Sequence, residues 1–442
     1  MPATNNGAYR RMRFLGLGDF CSLGDMYLRL AQDGHEVRVY VGDADAHDIF
    51  AGMIDRVDDW RTEIPWIREA DGIVICETAD LGDTADALRA SGIRVVGGSA
   101  FADRLERDRA FGQAVMAGMG LQTAPTYAFD DYDDAIAYLT AHPGRYVYKL
   151  SDGVAASTRN YVGQMTNGWD VLAMLRLEKT RLPAGQRANF VLMEFVQGVE
   201  VGVGAYFNGE EFLRPACIDW EHKRFFPGDL GELTGEMGTV VSYRGSEILF
   251  ESTLARLAPQ LRAARHQGYV NLNTIVNAQG VWPLEFTCRF GYPGFAICDA
   301  LHVNGWEEIL RLMTDASLPP RFETHPGFAV GVVVTVPPFP YEYGYEQLSK
   351  GAPIFLEETM TAADRDHLHF GEVRIDGGQL LTAGALGYVL VATGIGIDVP
   401  TAQQAAYARV RQVVVPNMRY RIDIGDRWIT HDAAAMRGWE YW

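Results

Sequence analysis

The sequence predicts an α/β protein of several domains, and three observations lead to that fold class. The chain has 442 residues, enough for two to four domains. Residues 13–100 alternate between strand-like and helical spacing, an order that predicts a doubly wound parallel sheet wrapped by helices. Pro319-Pro320 is typical of a boundary, and the several β segments after it predict a β-rich C-terminal domain.

The N-terminal elements follow from hydrophobic periodicity. The predicted strands are 13–17, 36–41, 72–76 and 93–96, and the predicted helices are 22–33 and 84–91. Gly16-Leu-Gly18 follows the first strand. Since Cys21 stands where a dinucleotide fingerprint has its third glycine, the pattern favours a tight turn over a nicotinamide site.

The middle of the chain predicts further helices at 101–118, 131–140, 170–177 and 247–265, and strands at 145–150, 161–162, 190–195, 199–207, 212–220, 268–276 and 281–290. The small polar segment Asp152–Arg159 predicts a turn or a flexible flap. Residues 221–238 predict a long polar loop, which in a folded domain is usually functional. Strands at 331–336, 368–375, 388–393 and 418–424 and a helix at 402–415 complete the C-terminal part.

Composition excludes several classes of protein. Apolar residues make up 48% of the chain and the net charge is −18, which argues against nucleic acid as the main partner. The five cysteines are scattered without a CxxC pair, so we expect a reducing cytoplasm and neither a disulfide framework nor a zinc site. Residues 1–13 lack an apolar signal core, and no apolar run reaches about 18 residues, so we expect no membrane span.

The segment Val281–Gly294 carries the strongest local signal for chemistry. Its apolar residues alternate with Glu285, Thr287 and Arg289, a period of two that predicts a strand with one polar face. Hard oxygen ligands beside a fixed cation suit Mg²⁺ and a phosphate group. The alternative is an edge strand whose polar face is merely solvated.

Five segments, taken in order, resemble the ATP-grasp ligases, and in detail the phosphoribosylamine–glycine ligase family. They are Arg104-Leu-Glu-Arg-Asp-Arg-Ala-Phe with Gly120–Pro125, Tyr148-Lys-Leu-Ser-Asp-Gly153, Met193-Glu-Phe-Val-Gln-Gly-Val-Glu200, Glu221-His-Lys-Arg224 with Gly228-Asp and Thr234-Gly-Glu-Met-Gly238, and Glu285-Phe-Thr-Cys-Arg-Phe-Gly291. The last two are close to Asp-His-Lys-Arg with Thr-Gly-Gly-Met-Gly and to Glu-Phe-Asn-x-Arg-Phe-Gly, and are specific. The resemblance covers roughly residues 95–430.

The resemblance implies a fold and an activity. The expected domains are an N-terminal α/β domain at 1–100, an ATP-grasp domain at 101–320 with a mobile lid at about 126–190, and a β-rich domain at 321–442. The expected activity is a carboxylate–amine ligase acting through an acyl phosphate, with ATP and Mg²⁺ (or Mn²⁺) as cofactors. It would act on small molecules in the cytoplasm as a monomer or homodimer.

The resemblance also implies site residues. The implied metal ligands are Glu285 and Thr287, with threonine in place of the family's asparagine. The implied ATP-binding residues are Arg109, Lys149, Glu194, Phe195, Val196 and Glu200. The implied catalytic residues are Glu221, His222, Lys223 and Arg289. Lys149 would face phosphates, Glu200 the ribose, residues 194–196 the adenine, and Arg289 the amino acid's carboxylate. Glu221 could hold an ammonium, and His222 is as readily a structural loop residue as a catalytic one.

Three departures from the family leave alternatives open. The flap Val154-Ala-Ala-Ser-Thr-Arg-Asn160 lacks the family's lysine, for which Arg159 is the candidate substitute. Gly18-Asp-Phe-Cys21 and Cys76-Glu-Thr-Ala-Asp-Leu81 replace the two segments that help to hold the sugar phosphate. The alternatives are therefore the same chemistry on a different amine, or a catalytically silent paralogue that binds nucleotide.

Overall fold

The computed structural model describes residues 11–150, 159–183 and 185–442. Its first part is a five-stranded sheet in which every strand pair is parallel, in the order β3-β2-β1-β4-β5. The elements of this part are β1 (Arg13–Gly18), α1 (Gly24–Gln32), β2 (Glu36–Val41), β3 (Asp55–Arg56), α2 (Ile64–Glu69), β4 (Ile73–Cys76), α3 (Gly82–Ala90) and β5 (Arg94–Val96). The predicted strands and helices of the doubly wound domain are confirmed.

A second part is built on a four-stranded antiparallel sheet in the order β6-β9-β7-β8. Its elements, with the two helices that precede it, are α4 (Ala100–Arg107), α5 (Arg109–Gly118), β6 (Thr126–Phe129), α6 (Tyr132–Ala141), β7 (Tyr146–Leu150), β8 (Tyr161–Val162), α7 (Trp169–Arg181) and β9 (Phe190–Glu194). The helices α6 and α7 pack on this sheet through an apolar cluster that includes Leu139, Leu175 and Phe190.

The third part supplies most of a large sheet. Its elements are β10 (Val199–Phe207), β11 (Cys217–Glu221), β12 (Arg224–Phe226), β13 (Leu230–Leu233), β14 (Gly238–Ser242), α8 (Glu247–Ser252), α9 (Ala258–Ala263), β15 (Gly268–Asn277), β16 (Gly280–Thr287), α10 (Gly294–Asp299) and α11 (Trp306–Thr314).

The C-terminal elements are β17 (Phe328–Thr335), α12 (Tyr345–Leu348), β18 (Phe355–Leu356), α13 (Ala362–Arg365), β19 (Leu368–Phe370), β20 (Val373–Asp376), β21 (Gln379–Thr382), β22 (Tyr388–Gly396), α14 (Val399–Val410), β23 (Val413–Val414) and α15 (Ala433–Gly438). Three of these strands continue the large sheet, which is antiparallel throughout in the order β16-β15-β10-β11-β14-β17-β22-β19. The division into three domains stays a prediction.

The two faces of the large sheet differ in polarity because side chains alternate along each strand. One face carries Val201, Ile218, Trp220, Leu272 and Phe286, all buried in the largest apolar cluster of the described residues. The opposite face carries the polar residues between them on the same strands. This alternation places the functional side chains of four strands on one surface.

Two predicted helices are wrong as single elements. The predicted helix 101–118 breaks at Asp108, whose extended backbone ends α4 and whose carboxylate accepts the N–H of Phe111 at 3.0 Å, capping α5. The predicted helix 247–265 is α8, a 3₁₀ turn at Leu254–Leu257, and α9, in whose first turn Pro259 lies. Proline cannot donate the hydrogen bond that a continuous helix would need there.

Other differences are confined to connections. The predicted loop 221–238 contains the hairpin β12–β13. The predicted strand 212–220 meets β10 at a single bridge between Phe212 and Phe207 and forms a ladder with it only at Cys217–Asp219, after a cis Arg214–Pro215 bond. The predicted strand 418–424 is irregular because the buried Arg421 turns toward Asp229 and Asp423 instead of continuing a ladder. The predicted helix 402–415 runs from 399 to 410.

Candidate active site

The site is organised by the register of the large sheet. Glu285 on β16 lies opposite Asn273 on β15, Asn273 lies opposite Gly202 on β10, and Gly202 lies opposite Asp219 on β11. This row of residues crosses four strands on the polar face. A cavity of about 230 Å³ lies over the row and is also lined by Thr287 and other polar groups of the neighbouring positions.

Glu285 is the meeting point of three predicted cations. Its Oε2 lies 3.6 Å from Nζ of Lys149, which comes from β7 of the four-stranded sheet. Lys149 lowers the pKa of Glu285 to about 2, with Lys223 and Arg109 adding to the effect against the opposing influence of burial. Burial lowers the pKa of Lys149, and the neighbouring cations contribute. Lys149 and Arg109, which is in no ion pair among the described residues, are the cations here that suit an anionic ligand.

Lys223 holds two predicted site carboxylates at once. Its Nζ lies 2.9 Å from Oε1 of Glu200 and 3.0 Å from Oε2 of Glu221. Asn273 donates a further hydrogen bond of 2.8 Å to Oε1 of Glu200. Although burial opposes it, Glu200 and Glu221 raise the pKa of Lys223 well above its usual value. A ligand that used either carboxylate would share it with this ammonium.

Arg289 follows β16 and lines the cavity. Its Nε lies 3.0 Å from Oε1 of Glu106 on α4, while Oε2 of Glu106 accepts the N–H of Cys288 at 2.9 Å. Glu106 thereby fixes one edge of the guanidinium. Within the described part of the chain, Nη2 has no hydrogen-bond partner, so the outer edge is available to a carboxylate. Sequence reasoning assigned no role to Glu106, although it lies in one of the resembling segments.

The remaining ATP-side residues lie between the two sheets. Phe195 and Val196 follow β9 and pack in a cluster with Leu284 of β16. The guanidinium of Arg145 lies 3.4 Å from the Phe195 ring centroid, and Glu194 accepts the Tyr127 hydroxyl at 3.0 Å. The result is an apolar strip joining the sheets, the kind of surface on which a planar base can stack.

Arg109 is the first residue of α5 and lines another cavity, of about 520 Å³, which also reaches Leu284 and Glu285. It makes no ion pair with any residue in the described ranges. Its charge therefore remains available to a ligand that enters between α5 and β16.

His222 lies apart from these groups. Its ring is buried, outside the cavity lining, and its Nε2 accepts the N–H of Gly425 at 3.4 Å. Burial, with Arg427 and Arg421 nearby, lowers its pKa to about 4, so the ring is neutral at pH 7. These contacts favour the structural alternative for His222 over the catalytic one.

The predicted flap lies mostly outside the described residues, which resume at Arg159. The guanidinium of Arg159 pairs with Glu178 on α7, a side chain that is 1% exposed and that Arg181 also contacts at 2.9 Å. Because that pair occupies Arg159, the structure gives no support to its use as a substitute for the missing flap lysine.

A second cavity of about 600 Å³ adjoins the first and shares Gly235, Arg289 and Tyr292 with it. Aromatic side chains dominate its wall: Phe20, Tyr292, Phe339, Tyr341, Tyr343 and Tyr388. Arg289 is its single cation among the described lining residues. Glu372, its buried carboxylate, accepts N–H groups of Leu386 and Gly387, both at 2.8 Å.

The start of α1 borders this second cavity and already holds a carboxyl group of the protein. Ser22 lines the cavity, and its N–H donates to Oε2 of Glu77 at 2.7 Å. Glu77 follows β4 and is 2% exposed. The sequence suggested that backbone N–H groups at this helix start could bind a phosphate. One of them, that of Ser22, already donates to a side chain of the protein itself.

Sequence reasoning assigned no role to four other polar residues of the site, Asp219, Glu236, Asn271 and Asn273. All four line the first cavity. Two of the pairs could have been found from the alternation of polar residues along a strand. Asp219 and Glu221 are two residues apart in the sequence, and so are Asn271 and Asn273, so each pair lies on one face of its strand. Within the described ranges, no cluster of three or more histidine, cysteine, aspartate or glutamate side chains could hold a metal ion. In the same ranges, no helix is long and apolar enough to cross a membrane.

Comparisons with known proteins agree with this architecture. Residues 107–295 match the ATP-grasp (A) domain of phosphoribosylglycinamide synthetase, and residues 329–427 match its C domain. The chain is 31% identical over 356 residues to the phosphoribosylamine–glycine ligase of Streptomyces coelicolor, covering 77% of this chain and 80% of that protein. It is 28% identical to the enzyme of Neisseria meningitidis, covering 78% and 81%.

Solved structures share the fold. The phosphoribosylamine–glycine ligase of Thermotoga maritima superimposes with a TM-score of 0.68 at 23% identity, over 93% of this chain and all of that one. The biotin carboxylase domain of the Hydrogenobacter thermophilus 2-oxoglutarate carboxylase, solved with MgADP and bicarbonate, gives 0.65 at 9% identity, over 92% and 91%. With its ordered motifs and these matches, the chain belongs to the phosphoribosylamine–glycine ligase family of ATP-grasp ligases.

Proposed function

We propose that the protein is an ATP- and Mg²⁺-dependent ligase that joins a carboxylate to an amine through an acyl phosphate. The observation that carries the proposal is the meeting of Lys149, Lys223 and Arg109, from three separate parts of the chain, around Glu285, which shares one cavity with Lys223 and Arg289 and another with Arg109. Phosphoryl transfer needs fixed cations where charge develops on the phosphates. The relatives' name supports glycine and phosphoribosylamine as the substrates.

The residues present fit the roles that this chemistry requires. Glu285 and Thr287 offer two oxygen ligands on one face of β16, and Mg²⁺ commonly takes one or two protein ligands and completes its shell with phosphates and water. Bound there, the metal would neutralise developing phosphate charge. Lys149 and Arg109 would hold phosphate oxygens, and the strip at Phe195 and Val196 would receive the base.

Arg289 would orient the acyl substrate. With one edge fixed by Glu106, its free edge can hold a carboxylate in the fork geometry that guanidinium groups favour. The carboxylate would then lie beside Glu285, where the phosphates meet the cations. Pre-set orientation of this kind is a large part of the rate enhancement in two-substrate reactions.

The test is ADP formation by the purified full chain with ATP, Mg²⁺, glycine and freshly generated phosphoribosylamine. Dependence of turnover on both substrates would support the proposal. Binding of a non-hydrolysable ATP analogue in calorimetry without any turnover would support the silent paralogue instead, an alternative that the family matches do not favour. Absence of nucleotide binding would refute both.

One specific observation favours testing a second candidate, the same chemistry on an amine without phosphate. Glu77 accepts the Ser22 N–H at the start of α1, and the adjoining cavity is walled mainly by aromatic side chains. The family matches favour phosphoribosylamine over such an amine. A parallel assay with glycine and non-phosphorylated amines decides between them, because only one arm should give glycine-dependent ADP.

We further propose that the protein acts in the cytoplasm as a monomer or homodimer. All five cysteines are buried free thiols, as a reducing compartment allows. Light scattering of the purified chain measures the oligomeric state.

A further inference from the structure

Glu236 lies where the two cavities meet and has no part in the chemistry proposed above. The cavities share Gly235, Arg289 and Tyr292, and Glu236 follows Gly235 directly in the chain. Glu236 lines the first cavity and is 5% exposed. A molecule that enters the first cavity from the second therefore passes beside this carboxyl group.

The sequence distinguishes this position. Thr234-Gly-Glu-Met-Gly238 differs from the resembling motif Thr-Gly-Gly-Met-Gly only at residue 236. Glycine has no side chain, whereas glutamate brings an ionisable group to the border between the cavities. The difference thus adds an acid–base group to the site of this chain.

The backbone on both sides of Glu236 is held by the segment that carries Lys223. The N–H and the hydroxyl of Thr234 each donate to the carbonyl of Lys223 at 2.8 Å. The N–H of Met237, a fully buried residue, donates to the carbonyl of His222 at 2.8 Å. Because the residues before and after it are both anchored, Glu236 is fixed in place by the fold.

One oxygen of the Glu236 carboxyl group remains available. Oε1 accepts a hydrogen bond from the hydroxyl of Thr239, and within the described ranges no hydrogen bond or ion pair reaches Oε2. Burial, with Glu221 and Asp219 nearby, raises the pKa of Glu236 well above its usual value, against the opposing effect of Lys223. A carboxylate whose pKa is raised is a stronger proton acceptor than an ordinary glutamate.

We propose that Glu236 is the general base for the attack of the amine on the acyl phosphate. The inference rests on the proposed function. The first cavity, of about 230 Å³, contains the residues assigned to the metal and the acyl substrate, so we place the amine in the adjoining cavity of about 600 Å³. From there its nitrogen reaches the acyl carbon past Gly235, beside Oε2 of Glu236.

The proton balance of this step requires an acceptor. The amine nitrogen forms a bond to the acyl carbon, the bond from that carbon to the phosphate oxygen breaks, and phosphate leaves with the electron pair. The nitrogen gains positive charge as it attacks, and it loses one proton to Oε2 of Glu236 to give the neutral amide. The proton then passes to solvent, which restores the carboxylate.

The experiment compares two nucleophiles on the full chain with ATP, Mg²⁺ and glycine. One is freshly generated phosphoribosylamine, and the other is hydroxylamine, which attacks acyl phosphates in solution without a catalyst. ADP release should fall at least about 100-fold in Glu236→Gln with phosphoribosylamine, but stay within about threefold of the wild type with hydroxylamine. Glu236→Asp, which keeps a carboxylate, should recover part of the lost rate. Glu247→Gln, on the exposed surface, should change neither rate.

Several outcomes would overturn the inference. One is a wild-type rate of Glu236→Gln with phosphoribosylamine. Another is an equal loss with both nucleophiles, because Glu236 would then serve acyl-phosphate formation or the fold and not the attack of the amine. A third is a wild-type protein that is active with hydroxylamine alone, since the base would have no such step to serve. Absence of ADP formation by the wild type with either nucleophile would refute the proposed function, and the inference with it.

Discussion

Replacing Glu285 with glutamine removes one negative charge from the point where Lys149, Lys223 and Arg109 converge. At the 3.6 Å separation from Lys149, a unit charge pair is worth about 1 kcal/mol in water and about 4–5 kcal/mol at an effective dielectric constant of 20. The Glu285 side chain is 46% exposed, so solvent screening brings the pair toward the lower value. We therefore assign about 1–2 kcal/mol to the electrostatic interaction that Glu285→Gln removes.

Two consequences of opposite sign follow. Turnover should fall at least about 100-fold, because the amide is a poor ligand for the metal that serves the transition state. Metal-free nucleotide should bind about 5–30-fold more tightly, because three cations then face one fewer negative charge. A residue that merely supported the fold would lower both quantities together.

The assay compares ADP release with calorimetric binding of a non-hydrolysable ATP analogue in the presence of a metal chelator, with Glu247→Gln as the charge-matched control. Because Lys149 first, with Lys223 and Arg109, holds the pKa of Glu285 at about 2, the carboxylate stays ionised above pH 4. The ratio of wild-type to variant turnover should therefore be constant from pH 5 to pH 9. Equal losses of turnover and nucleotide affinity, or retained activity, would refute the reasoning.

Three further predictions concern single residues. Thr287→Asn should keep turnover within about threefold and lower the Mg²⁺ concentration for half-maximal rate, since a carbonyl is a better metal ligand than a hydroxyl; a large loss would remove Thr287 from the metal site. Arg289→Lys should raise the KM of the amino acid at least about tenfold without changing nucleotide affinity, because lysine lacks the fork that serves Glu106 and a carboxylate together; an unchanged KM would count against that role. Asp108→Ala should lower the free energy of unfolding by about 1 kcal/mol, because it removes the side chain that caps α5. An unchanged midpoint in urea titrations would show that this cap is not what separates α4 from α5.

The fold was predictable where short-range periodicity decides it. The strands of the N-terminal sheet and the pair β15–β16 are confirmed, since apolar residues recur at the periods that these elements require. The two helix breaks were not recognised. Asp108 fits a helical pattern equally well in its interior, and only the hydrogen bond to Phe111 shows that it acts as a cap.

The site was predictable strand by strand but not across strands. Polar alternation identified Glu285 and Thr287, and the same signal could have identified Asn271 and Asn273. The position of Asp219 in their row depends on the register of β10 and β11, which local sequence does not specify. Likewise, no local pattern shows that one lysine, Lys223, would hold two of the predicted carboxylates.

Glu77 offers a pH-dependent test of the start of α1. Burial raises its pKa from 4.5 to about 7. Between these values the folded protein keeps a proton that the unfolded chain has released, so this group makes the protein less stable as pH rises through that window. The difference between the two pKa values corresponds to a loss of about 3 kcal/mol in the free energy of unfolding, and this loss is complete above pH 7.

Glu77→Gln should cancel this loss, because an amide oxygen can still accept the N–H of Ser22 but carries no charge at any pH. The free energy of unfolding is measured in urea at pH 5 and pH 8 for both proteins. The stability of the variant relative to the wild type should rise by up to about 3 kcal/mol from pH 5 to pH 8. A difference between the two proteins that is the same at both pH values would show that the Glu77 carboxylate is not forced to keep its proton. The amides of α1 would then face a full negative charge at pH 7, and a phosphate group could approach them only by displacing it.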